Sequence, residues 1–536
     1  MNIGAVCDAA TAAALQVDWL VKELQPVGTY GSERFQNWQP FSGGSEADAR
    51  SHAERIGAIA TSDSERLESI REALRDLPDI RAIISRAGLD ETLGDADFLS
   101  VFRFCERTRA LRTLVDETIS SAPPEICDEV LEALSAGKSG EFAFYLGNSF
   151  SAQLANARAE FTAAESRFET LRSKRNERVA HQLGRAVIAT DEFIIMRDEL
   201  RGELPAGVHV IREAPTYWLC ELELDEPALE ALQERDRWAA AVAAAEEDVR
   251  RKLSRLIAQH AGILEQSATQ AGELDVFVAA ARFVQRHRCV VPEYRADASL
   301  AFEDARFLPL EDELSRSSQS YVPISLALER SNVLTGPNMG GKSAALRTTG
   351  FIAVCAGFGL PVPAKNVSAG LFDRVQWLGI HGGDRVDENG ELLSSFAREV
   401  VRLRDMLRGQ CRALWLVDEF ARTTMPDEAR ALLLALLGRL KTRDGCTLAA
   451  THLMVVDAAA ETAHFAVAGF RGDGSVPGFT STEDALSALS RRIDYRIERV
   501  HQAPQPASDA LQLARWLGLD KELVESAKEI LARCSP

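Results

Sequence analysis

Gly336-Pro337-Asn338-Met339-Gly340-Gly341-Lys342-Ser343 has the form G-x-x-x-x-G-K-[ST]. A short apolar run, Asn332 to Leu334, precedes it, and a helical pattern starts at Ser343. Glycines in such a loop let successive backbone N–H groups converge on phosphate oxygens. The positive end of the following helix faces the same anion. Lys342 is placed to reach the β- and γ-phosphates, and Ser343 to bind Mg²⁺. The expected ligands are ATP and Mg²⁺.

Two downstream segments extend this reading. Ala413-Leu-Trp-Leu-Val417 is an apolar run suited to a buried strand, and it ends in Asp418 and Glu419. A strand ending in acids is by itself an ordinary surface feature. Placed after the phosphate loop, Asp418 can manage Mg²⁺ and Glu419 can position an attacking water. Thr447-Leu-Ala-Ala450 is a second apolar run, followed by Thr451 and His452. A histidine after a strand is usually incidental, but His452 completes an ordered set and can sense a γ-phosphate. The helical pattern Pro426–Leu440 lies between the two runs, which makes a βαβ unit and an α/β class for the C-terminal part.

The whole chain has 536 residues and a net charge of −19. Residues 1–300 carry 34 basic and 50 acidic side chains, whereas residues 301–536 carry 27 and 30. Non-specific nucleic-acid binding needs net attraction to phosphates, so the acidity of the first part weighs against DNA except through a local basic patch. The nine cysteines are scattered, with no C-x-x-C pair. They read as free thiols of a reducing compartment, and structural zinc is not expected. Met1 to Leu24 has no basic n-region and includes Asp8 and Asp18, unlike a signal peptide. Gly350 to Ala364 is too short and too interrupted by Gly and Pro to span a membrane. A cytoplasmic protein is expected.

Upstream of residue 295 the pattern is mostly helical. One helix is expected over Ala9–Leu24, then a loop over Pro26–Gly44. Leu67, Ile70, Leu74 and Leu77 recur at helical spacing, as do Phe98, Val101, Phe102 and Cys105. Arg158 to Arg185 reads as a long exposed helix and Ala228 to Arg288 as another. Between them residues 206–226 alternate, with β-branched and aromatic side chains, and predict a small strand pair. Arg172, Lys174, Arg175 and Arg178 form a basic cluster, but interleaved Glu169 and Glu177 favour an ion-paired helix face over a DNA-gripping one. Tyr217 and Trp218 suit core packing of the small sheet better than base stacking. Phe307 is a loose candidate for stacking on adenine. His381-Gly-Gly-Asp384 lacks a second ligand cluster and reads as a loop rather than a metal site.

These residues resemble those of the MutS superfamily, the DNA mismatch-repair ATPases. Thr335 to Ser343 looks like the phosphate loop of that family. Val362-Pro-Ala364 resembles the segment after its helix, and Ser394-Ser395-Phe396 with Glu399 resembles its S-T-F-x-x-E signature. Asp418-Glu-Phe-Ala-Arg422-Thr-Thr424 resembles D-E-x-x-R-G-T, and Ala450-Thr-His452 resembles A-T-H. Weaker likenesses lie at Tyr217–Arg251, Glu273-Leu-Asp275, Arg288–Pro292 and Asp509–Gly518.

The resemblance implies an ABC-type P-loop ATPase domain behind a long-helix lever with a small β-containing clamp. It implies a homodimer or heteromer formed through the ATPase domain, with Ser394 or Ser395 contacting the γ-phosphate held by the other subunit. The expected divisions are an N-terminal segment 1–50, a lever and clamp 51–294, an ATPase domain 295–490 and a closing strand and helical pair 491–536.

Departures narrow the resemblance. The chain is too short for the family's mismatch-reading and connector domains, and no nuclease-like domain follows the ATPase, which counts against the MutS2 branch. Thr423 stands where the family has Gly, and the loop His381 to Leu393 is long and acidic. Asp418–Thr424, Asp494-Tyr-Arg-Ile497 and Asp509-Ala-Leu511 look closer to the MutS-like ATPase subunit of the reactivase for lysine 5,6-aminomutase, an adenosylcobalamin enzyme. The expected output is ATP-driven switching of a dimeric clamp. The acidic first part leans to a protein client such as that aminomutase; the alternative is a mismatch-repair or recombination-related ATPase acting on duplex or branched DNA.

Overall fold

A computed structural model describes residues 1–139, 143–184, 192–198, 200, 202–336, 341–379, 395–453, 462–470, 492–500 and 509–534. The chain divides into two compact units. One comprises Met1–Asp76, Thr113–Pro123 and Gln270–Pro536, and the other Leu77–Arg112 and Pro124–Thr269. The expected lever-and-clamp segment 51–294 is therefore shared between them. Among the described residues no helix is long and apolar enough to cross a membrane.

The unit containing Pro124–Thr269 is organised by two long helices, Ala152–Leu183 and Glu226–Gln259. Each starts on a side-chain cap, Ser151 accepting from the Gln153 N–H and Asp225 from the Ala228 N–H. Leu154, Ala157, Phe168 and Val179 bury one face of the first, and Ala231, Ala245, Val249 and Ile257 one face of the second. Ion pairs join the two helices, Arg158 to Glu246 at 2.6 Å and Arg167 to Glu234 at 3.1 Å.

The short strands β1 (Lys138–Ser139) and β2 (Ala143–Phe144) pair ahead of the first long helix. Between the long helices lie β3 (Glu192–Met196), β4 (Val208–Glu213) and β5 (Tyr217–Leu222), in the antiparallel order β3-β5-β4. The expected strand pair is thus a three-stranded sheet. Cys220 and Ile195 are buried in it, and the Arg197 guanidinium lies 4.8 Å from the centre of the Trp218 ring. The basic cluster is largely used internally. Arg172 pairs with Glu169 at 3.4 Å, and Arg178 with Asp225 at 3.8 Å. Arg175 is buried and donates to the carbonyls of Leu222 and Glu223.

In the other unit, the helix expected over Ala9–Leu24 is two helices, Ala9–Ala14 and Val17–Glu23, broken where Gln16 takes φ 50°. The stretch expected as loop contains the helix Thr29–Gln36. Its reason is distant in sequence: the buried carboxylate of Asp275 accepts the N–H groups of Gly28 at 2.7 Å and Val27 at 3.2 Å. Those amides have no helical partner, so an anion there stabilises the helix start. Asp275 sits on Ala261–His287; the expected continuous helix Ala228–Arg288 is interrupted at His260.

Among the described residues ten further strands follow: β6 (Glu293–Arg295), β7 (Leu300–Ala305), β8 (Ile324–Leu328), β9 (Ser331–Thr335), β10 (Asn366–Gly370), β11 (Arg374–Leu378), β12 (Ala413–Asp418), β13 (Gly445–Thr451), β14 (Ala463–Phe470) and β15 (Ile493–Val500). A four-stranded sheet has the order β6-β10-β7-β8, and a six-stranded sheet the order β11-β12-β13-β9-β14-β15. The six-stranded sheet is parallel from β11 to β14, with β15 antiparallel at the edge.

Strands β12 and β13 are buried along nearly their whole length, as the unbroken apolar runs require. Leu433, Leu436, Leu437 and Leu440 of the helix Pro426–Lys441 pack with Trp415, Val417 and Ala449 of the sheet. The helix Lys342–Gly357 is likewise buried almost throughout. The N-terminal residues belong to this body: the Val375 N–H donates to the Val6 carbonyl, and the Trp377 N–H to Thr11 Oγ1.

Asp275→Ala leaves two amides without an acceptor and is expected to lower stability by about 2–4 kcal/mol. Asp275→Asn, which keeps an acceptor oxygen, is expected to lose less. Urea denaturation checks both, and an unchanged midpoint for Asp275→Ala would remove the capping role.

Candidate functional site

The site forms where β9, β12 and β13 end. Their parallel register pairs Asp418 with Ala450 and Thr335 with Thr451. The chain therefore leaves three neighbouring strands at one level, at Gly336, Glu419 and His452. In open parallel sheets, ligands bind outside the carboxyl ends of the strands.

After β9 the backbone takes conformations that suit glycine. Gly336 has φ 150° and Gly341 φ 83°. A Cβ on Gly336 would stand 3.0 Å from the Cβ of Val467 in β14, and one on Gly341 would stand 3.0 Å from Cδ1 of Tyr495 in β15. Pro337, Asn338, Met339 and Gly340, expected to cradle phosphate, lie outside the described residues. Gly341 caps the helix Lys342–Gly357, whose first-turn amides are those available to an anion.

Lys342 is 5% exposed; its Nζ donates to the Gly336 carbonyl at 2.8 Å and lies 3.7 Å from Glu419 Oε1. Burial lowers its pKa from the usual lysine value, and the charges of Glu419 and Asp418 oppose that shift. Ser343 Oγ donates to Asp418 Oδ1 at 3.2 Å. Burial raises the Asp418 pKa, while the Ser343 hydroxyl works the other way. Adjacent hydroxyl and carboxylate oxygens are hard donors of the kind Mg²⁺ takes, usually one or two from protein with the rest from water and phosphate.

Glu419 is the centre of the cluster. Its N–H donates to the Ala450 carbonyl at 3.0 Å, which ties it to β13. Its carboxylate faces two cations, Lys342 and, at 3.1 Å through Oε2, Arg422, and the His452 ring, whose Nδ1 lies 3.9 Å from Oε1. Lys342, Ser343, Asp418, Glu419 and His452 thus meet in one place.

Other expected residues fall differently. Ser394 lies outside the described residues, and Ser395 opens the helix Ser395–Met406. His381–Asp384 also lies outside them. Phe307 is fully buried, with its ring edge-on to Phe351 at 5.6 Å. That packing removes it as an adenine-stacking residue, a correction to the sequence reading. Val467, Tyr495 and Arg422 are the neighbours that the motifs did not point to. Arg422 and Tyr495 stood within quoted strings, but only the pairing of β14 with β9 and β15 brings the last strand to the loop.

Residues 332–535 match the family description of MutS domain V. This match places the C-terminal part of the chain in the MutS superfamily. Over 491 residues it is 26% identical to a protein of Pelotomaculum thermopropionicum named Endonuclease MutS2, which covers 87% of this chain and 58% of that protein. Over 482 residues it is 27% identical to the Endonuclease MutS2 of Thermomicrobium roseum, covering 85% and 58%. Over 287 residues it is 28% identical to the DNA mismatch repair protein MutS of Synechococcus elongatus, covering 52% and 30%. The chain therefore spans under two thirds of the length of these relatives. Two of them carry the MutS2 name, the branch that the sequence reading counted against.

Gly341→Ala is expected to cost about 1–2 kcal/mol in backbone strain, with a further cost from displacing Tyr495. Gly409→Ala, where an added Cβ meets nothing within 4 Å, serves as the control. Thermal unfolding of the two variants tests this: equal melting temperatures would contradict the close approach at Gly341.

Proposed function

We propose that the chain is an Mg²⁺-dependent ATPase whose nucleotide cycle acts on DNA. The observation that carries the reading is the convergence of Lys342, Ser343, Asp418, Glu419 and His452 at the ends of β9, β12 and β13. Lys342 exchanges its Gly336 and Glu419 partners for phosphate oxygens. Ser343 Oγ and an Asp418 oxygen would hold Mg²⁺, which when bound would offset the negative charge of the phosphates. Glu419 orients the attacking water, and Lys342 and Arg422 hold its carboxylate in place. His452, 3.9 Å from that carboxylate, senses the γ-phosphate. The end amides of Gly341 and the following helix face the anion.

The finer assembly follows from the same reading. A dimer or heteromer through the ATPase unit would bring Ser394 or Ser395 to the nucleotide of the other subunit. For the client, the names Endonuclease MutS2 and DNA mismatch repair protein MutS favour DNA over an aminomutase. One observation keeps the protein client as the second reading: three arginines of the basic cluster are held by acidic side chains or backbone carbonyls. DNA contact then needs a different set of cations.

Lys342→Ala and Glu419→Gln are each expected to lower ATP turnover about 100-fold or more, and EDTA to abolish it in the unaltered protein. Normal hydrolysis in either variant would overturn the site assignment. Labelled duplex and branched DNA, titrated at two salt concentrations with and without ATP, tests the client. Salt-sensitive, ATP-modulated binding is expected. A preparation that hydrolyses ATP but binds no DNA at low salt would remove the DNA reading in favour of the protein client.

A further inference from the structure

Immediately after Glu419 the backbone enters an unusual turn. Glu419 has φ 49° and Ala421 φ 61°, both left-handed and both without the freedom of glycine. Two turn hydrogen bonds close it, Arg422 N–H to the Glu419 carbonyl at 3.3 Å and Thr424 N–H to the Ala421 carbonyl at 3.1 Å. Strained residues of this kind persist only where their surroundings over-determine them.

One such surrounding group comes from another element. Glu399, on the helix Ser395–Met406, is 4% exposed. Its Oε2 accepts the Ala421 N–H at 3.1 Å. Its Oε1 is buried with no hydrogen-bond partner among the described residues. Burying a carboxylate that meets a single amide donor is costly, and burial raises its pKa accordingly. A hydrophobic residue would fill the place more cheaply, so the carboxylate is explained by the amide it holds.

Resting on the ATPase reading above, we propose that Glu399 is a positioning residue for Glu419. By holding the Ala421 amide it keeps the turn in its left-handed form, and the turn aims the Glu419 carboxylate at the Lys342 and His452 side of the site. Glu399 lies one helical turn after Ser395. A shift of that helix is therefore delivered to the water-positioning carboxylate through one hydrogen bond, without any movement of Lys342 or Ser343.

Steady-state ATP hydrolysis separates this from a purely structural role. Glu399→Ala is expected to lower kcat about tenfold or more, with KM for ATP within about twofold. Glu399→Gln keeps the acceptor oxygen and is expected to retain most of the turnover. Glu399→Asp keeps the charge but draws the oxygen back from Ala421, and is expected to resemble Glu399→Ala; it is the variant to read if the alanine protein does not fold. Thermal unfolding is recorded for each, and kcat is compared well below the lowest transition. Turnover equal to the unaltered protein in both Glu399→Ala and Glu399→Asp would overturn the proposal. So would a Glu399→Gln protein as slow as Glu399→Ala. Failure of the ATPase reading is distinguishable, because the unaltered protein would then show no hydrolysis.

Discussion

The parallel alignment of β9, β12 and β13 is the constraint on which the site depends. Hydrogen bonding holds Asp418 opposite Ala450 and Thr335 opposite Thr451, so three segments far apart in sequence emerge side by side. A shift of one residue in a strand would turn every side chain to the opposite face. Burial of these strands makes that slip prohibitively expensive. The arrangement therefore takes its precision from an apolar core: Trp415 and Val417 fix the position of Asp418, and Ala449 that of the end of β13.

The polar groups at this junction carry opposing costs. Lys342, Asp418 and Glu399 all lie in surroundings that disfavour their charged forms. Lys342 and Asp418 have opposite charges close by, and Ser343 adds a hydroxyl to Asp418. Glu399 has only one amide and the more distant influence of Arg422. The loop after Glu419 adds left-handed residues to that account. A protein folded for stability alone would have none of these, and their concentration within a few residues marks the region as one shaped for a task.

Much of this was legible in the sequence, for physical reasons that differ by element. The strands ending at Asp418 and Thr451 could be read because buried parallel strands need unbroken apolar runs, and the helix after Gly341 because a helical pattern starts there. The helix Thr29–Gln36 could not, because its stability comes from Asp275, and no local pattern announces a cap 247 positions away. The strand β3 was missed because five residues of mixed burial carry little signal without their partner β5. The break at Gln16 is invisible to helical periodicity, since the apolar spacing runs on across it. The bond from Glu399 to Ala421 joins two quoted motifs, but spacing shows only that both exist.

The Asp275 cap also has a consequence in time. Gly28 leaves the ribosome 247 residues before the carboxylate that completes its helix. At ordinary synthesis rates of about 5–20 residues per second, that interval is on the order of 10–50 s. Isolated helices this short are marginal in water. The N-terminal segment thus spends that interval without its cap and joins its compact unit only once Ala261–His287 has been made. Residues up to Asp76 are made before Asp275, and the partners of Val6 and Thr11, Val375 and Trp377, come later still.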